Sequence, residues 1–123
     1  MSPEHANAII VDDNKDHAAT LRLFLIRDGH QVLAIAYSKE EGERLINKVK
    51  DGGTKIQVAL LDGNLSETST GGQDGRELAE QVRSQLPGVK VISISTQRQN
   101  WSDRPDFTSM EGSAAISKAV TEA

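Results

Sequence analysis

Ala8-Ile9-Ile10-Val11-Asp12-Asp13 is a short apolar run that ends abruptly in a pair of acids. A run this brief and this rich in β-branched residues reads as a buried strand. The next segment has a different period. From Lys15 to Asp28, Ala18, Leu21 and Leu25 recur three and four residues apart, which predicts a helix with one buried face. Gly29 predicts its C-terminal stop. Gln31 to Ala36 (QVLAIA) is a second strand. Strand, helix, strand in so short a span is the pattern of βα units around a parallel sheet.

The alternation continues outward. Ser38-Lys39-Glu40-Glu41 reads as a capping box, opening a helix with Leu45, Ile46 and Val49 inward and ending at Asp51-Gly52-Gly53. Gln57 to Leu61 (QVALL) is a third strand that runs directly into Asp62. A polar loop, Gly63 to Gln73, leads to a helix from about Asp74 to Leu86 with Leu78, Val82 and Leu86 inward, closed by Pro87-Gly88. Val89 to Ser95 is a fourth strand. From Thr96 to Gly112 the chain is polar, and Pro105 would interrupt a long helix, so a short or irregular helix is expected. Ala114 to Ser117 suits a short fifth strand before Lys118, and Ala123 follows too soon for a full final helix.

Composition excludes several function classes. With 123 residues the chain suits one domain, 1–123. The net charge of −4 argues against direct nucleic-acid binding by this domain, since that needs a basic face. Without cysteine, disulfides, thiol catalysis and Cys-ligated zinc are out. His5, His17 and His30 stand far apart with no metal-ligand spacing. No apolar run approaches the roughly 18 residues of a membrane span. The N-terminus has no signal layout, so a cytoplasmic location away from the membrane is expected.

The acids carry the chemistry. Asp12 and Asp13 end the first predicted strand and Asp62 ends the third. Open parallel α/β sheets bind ligands beyond the carboxyl ends of their strands, where strand order reverses. If the first and third strands are neighbours, three carboxylates converge and repel one another. A hard divalent cation such as Mg²⁺ relieves that conflict and can neutralise phosphoryl oxygens during transfer. A carboxylate beside it is a candidate nucleophile that would form an acyl phosphate. Lys118, after the fifth strand, could place a positive charge on that phosphate, and Ser95 a hydroxyl. Singly each has an ordinary explanation: a capping Asp pair, a turn Asp, a satisfied strand-end Ser, a solvated Lys. Their joint occurrence, in order and at strand ends, favours a site.

Ile9-Ile10-Val11-Asp12-Asp13, Val58-Ala59-Leu60-Leu61-Asp62, Val91-Ile92-Ser93-Ile94-Ser95-Thr96 and Ile116-Ser117-Lys118 together resemble the response regulator receiver domains of two-component signalling, the CheY-like superfamily. The resemblance covers nearly the whole chain. It implies a three-layer α/β fold, a flavodoxin-like doubly wound five-stranded parallel sheet in order 2-1-3-4-5, here with its final helix truncated or absent. By position it makes Asp62 the phosphoacceptor and Asp12 and Asp13 the acidic pair supporting Mg²⁺. Asn64 matches the residue whose backbone carbonyl ligates the metal, Ser95 the switch hydroxyl, and Lys118 the invariant lysine. The implied partners are a histidine kinase or histidine phosphotransfer domain as donor, and an output domain or protein downstream. Such a domain assists its own phosphorylation and dephosphorylation without being a classical enzyme.

The chain departs from the pattern in several places. Leu65-Ser66 stands where the family favours a hydrophobic residue and Pro, and the loop before Asp74-Gly75 is longer than usual. Ala115 replaces the switch aromatic, and Ala119 replaces the Pro after the lysine. Two rival readings exist. Leu61-Asp62-Gly63-Asn64-Leu65 is similar to the DxDGTL motif of haloacid dehalogenase phosphatases, but Leu60 occupies the nucleophile's position. A pseudo-receiver, a phosphorylation-independent interaction module, would suit Ala115 and the long loop, but not the complete set of acids.

Overall fold

The computed structural model describes residues 7–53, 55–62 and 73–94. Within them lie strands β1 (Asn7–Val11), β2 (Gln31–Ala36), β3 (Val58–Leu61) and β4 (Lys90–Ser93), and helices α1 (Lys15–Arg27), α2 (Lys39–Asp51) and α3 (Gln73–Gln85). All pairings are parallel, in the order β2-β1-β3-β4. The expected order therefore holds for these strands. The expected fifth strand, the final helix and the segment Thr96 to Gly112 lie outside the described residues.

Local chemistry explains the helix ends. The Asn14 side chain caps α1 by accepting from the His17 backbone N–H at 3.0 Å, one of the orphan donors of a first turn. Past α1, Gly29 has φ 92°, a left-handed conformation that suits glycine. The Ser38 hydroxyl accepts from Glu41 N–H at 3.1 Å and starts α2.

Side-chain alternation along the strands splits the core into two layers. Ala8, Ile10, Val58, Leu60 and Ile92 pack with Ala18, Leu21 and Leu25 of α1. Ile9, Val11, Ala59, Leu61 and Val91 pack with Ile46 and Val49 of α2 and Leu78, Ala79 and Val82 of α3. The sheet is covered on both faces, which is why its central strands are continuously apolar. Leu45 and Leu86, expected inward, are only partly buried at the edge of the second layer.

β2 and β4 differ most from their sequence reading. In β2 the register slips: Ala8 pairs Val32 but Ile9 pairs Ala34, leaving Leu33 as an extra residue. A bulge resets the alternation, so Val32 and Ile35 both pack against the α1 layer and Leu33 stays exposed. Apolarity predicts a fourth strand from Val89 to Ser95, whereas β4 spans Lys90–Ser93. The Ile94 N–H adds one more bond, to the Leu61 carbonyl at 3.0 Å.

Candidate metal centre

Parallel pairing of β1 with β3 aligns Val11 with Leu61, so the residues that follow, Asp12 and Asp62, emerge side by side. The backbone extends the ladder past the strands: Asp62 N–H donates to the Val11 carbonyl at 2.8 Å, and Asp12 N–H to the Ala36 carbonyl at 3.0 Å. This is where strand order reverses, β2 lying on one side of β1 and β3 on the other. Asp12 is 1% exposed, Asp62 is half-buried and Asp13 is exposed. One carboxylate oxygen from each of Asp12, Asp13 and Asp62 lies within 4.8 Å of the other two.

Both oxygens of Asp12 are held. Oδ1 accepts from Asn14 N–H at 2.9 Å, and Oδ2 contacts Nδ1 of His17. Against an ionised carboxylate, which only accepts, Nδ1 must be the donor. The hydrogen bond to Asp12 holds the His17 imidazole above its ordinary pKa; burial opposes this, and the charges of Asp12 and then Asp62 add to it.

Crowded carboxylates need a cation or a proton to coexist. An all-oxygen donor set, with one carboxylate buried and the others open to water that would complete a coordination shell, fits a hard divalent ion such as Mg²⁺. Of the residues expected in the site, the structure brings together Asp12, Asp13 and Asp62. Asn64, Ser95 and Lys118 lie outside the described residues, as does Ala115. The residue that sequence reasoning missed is His17. His17 has no metal-ligand spacing to the other histidines, but its place in the first turn after the acid pair is a usable signal. An open groove edged by Val49, Ile56, Leu86 and Val89 lies at the amino ends of the strands, away from the acids. Among the described residues, no helix is long and apolar enough to cross a membrane.

Comparison with known proteins agrees with this arrangement. The response regulator receiver domain family matches residues 8–123. No curated protein matches the sequence. Among solved structures, a chain of the CheX–CheY–BeF3–Mg complex from Borrelia burgdorferi superposes with TM-score 0.76 at 18% identity, covering 95% of this chain and 87% of that one. A CheY-like receiver domain protein from Methanospirillum hungatei gives TM-score 0.75 at 21% identity, covering 95% of this chain and 91% of its own. The RcsB response regulator of Salmonella typhimurium, described for its conformational dynamism in DNA interaction, gives 0.74 at 16% identity, with 96% of this chain and 60% of that one covered. At such identities the likeness speaks for the fold.

Proposed function

We propose that this chain, which belongs to the response regulator receiver domain family, is a phosphoacceptor switch that takes a phosphoryl group on Asp62 with Mg²⁺ held by Asp12, Asp13 and Asp62. The observation that carries the reading is the convergence of these carboxylates within 4.8 Å at the ends of β1 and β3. A site built only for protein binding has no use for such repulsion.

In the proposed reaction an Asp62 oxygen attacks the phosphorus of a phosphohistidine. The new P–O bond forms as the P–N bond breaks, and the imidazole leaves with the electron pair. Mg²⁺, when bound, would offset charge on the phosphoryl oxygens. Asp12 and Asp13 would hold it, joined by the Asn64 carbonyl. Ser95 and Lys118 would contact the transferred group through a hydroxyl and an ammonium. β3 anchors Asp62 through its backbone bond to Val11, so the nucleophile is fixed before the donor arrives.

The donor is a histidine kinase or histidine phosphotransfer domain, and the receiver of the signal an output domain or protein. Two neighbours support this setting: one from a complex containing CheX, BeF3 and Mg, and one that is a longer response regulator described for DNA interaction. The chain acts in the cytoplasm as a switch, not as a classical enzyme. Incubation with a small-molecule phosphodonor and Mg²⁺ tests the reading by mass spectrometry. One phosphoryl group should be added to the unaltered chain and none to Asp62→Asn. No gain in mass by the unaltered chain would favour the phosphorylation-independent module.

A further inference from the structure

Asp12, Asn14 and His17 close a ring of contacts at the junction of β1 and α1. The Asn14 N–H holds Asp12 Oδ1 at 2.9 Å, the Asn14 side chain accepts from the His17 backbone N–H at 3.0 Å, and the His17 ring returns through Nδ1 to Asp12 Oδ2. The helix cap and the orientation of the buried acid are therefore parts of one circuit.

We propose that His17 is a positioning residue of the cation site: its Nδ1–H fixes the rotation of the Asp12 carboxylate so that its oxygens stay turned toward Asp13 and Asp62. The inference rests on the reading of these acids as a Mg²⁺ site. Asp12 is 1% exposed, so water cannot orient it, and repulsion from two nearby carboxylates would turn an unheld group away. A donor on each oxygen prevents that turn. One donor is the Asn14 backbone N–H, which every residue but proline supplies. The other is the imidazole, itself placed by the Asn14 cap and by α1, whose Ala18, Leu21 and Leu25 are locked into the core. Partners that hold a ligating carboxylate typically contribute about 10–100-fold to metal affinity.

The opposite role is equally definite in its consequence. If the ring merely blocks Asp12, its removal tightens Mg²⁺ binding. The test is a Mg²⁺ titration of the full chain, followed by the amide chemical shifts of Asp12, Asp13 and Asp62. His17→Leu, which removes the donor, should weaken the affinity by about 10-fold or more. His17→Asn, whose amide N–H can stand where Nδ1–H stood, should recover most of it. The His17 side chain is 22% exposed and outside the core, and His17→Ala serves as a second donor-free variant should the leucine variant fail to fold. Mg²⁺ affinity in His17→Leu equal to or tighter than that of the unaltered chain overturns the proposal, as does an Asn variant no better than Leu. If the unaltered chain itself shows no Mg²⁺-dependent shifts, the reading of the acids falls first and the proposal with it.

Discussion

Gly42 of α2 faces Leu78 of α3 with no room to spare: a Cβ at Gly42 would stand 3.2 Å from Leu78 Cδ1 and 3.1 Å from Val11 Cγ1. The missing side chain lets α2 settle against both α3 and the central strand. Lys39 and Glu77 add a 2.8 Å ion pair across the same helices.

Gly42→Ala sets two effects of similar size against each other. Alanine favours the helix by about 1 kcal/mol, while overpacking costs about 1–3 kcal/mol. Because Leu78 and Val11 are fully buried and have little room to move, the net change should be destabilising by about 1 kcal/mol. Gly42→Val, bulkier and a poorer helix former, should cost at least about 2 kcal/mol. Urea unfolding of the two variants measures both; a stabilised valine variant would contradict the packing described.

Removing the α2 cap should have a smaller, separate effect. Ser38→Ala leaves Glu41 N–H without its hydroxyl partner, and should lower stability by about 1 kcal/mol. Substitution by Asp, which also accepts, should restore most of it. Thermal unfolding of the pair, read at one pH and salt concentration, is sufficient.

Leu60 lies fully buried in the layer under α1. Leu60→Ala should cost about 2–5 kcal/mol through lost burial and the cavity left behind. Leu33→Ala, at the exposed bulge, should change stability by no more than about 0.5 kcal/mol. The contrast between a leucine of β3 and one of β2 tests the layer assignment; equal losses would refute it.

Asp13→Ala should separate stability from cation response. Without metal, removing one of three crowded charges should stabilise the fold by roughly 1 kcal/mol, the scale of an exposed charge pair at this spacing. With millimolar Mg²⁺ the unaltered chain should gain stability by mass action and Asp13→Ala should gain none. Melting curves with and without Mg²⁺, at constant ionic strength, distinguish the two effects. Chelation of Mg²⁺ should return the unaltered chain to its metal-free melting temperature.

What the sequence determined by itself was local. The buried face of α1 at Ala18, Leu21 and Leu25, the Ser38 cap and the glycine after α1 were readable because each depends on residues within one or two helical turns. The acids at the ends of β1 and β3 were readable as strand ends for the same reason. Only the tertiary structure decided that they meet, because a parallel pairing joins segments about fifty residues apart and depends on the whole sheet burying both faces. The bulge at Leu33 was equally invisible, since register belongs to two strands at once. So was the close approach of Gly42 to Leu78; the contact of His17 with Asp12, only five residues away, was signalled by its place in the first turn but needed the direction in which α1 leaves β1. A side chain's reach from a helix depends on the angle at which that helix leaves its strand, and that angle is set by core packing, not by the residues that touch.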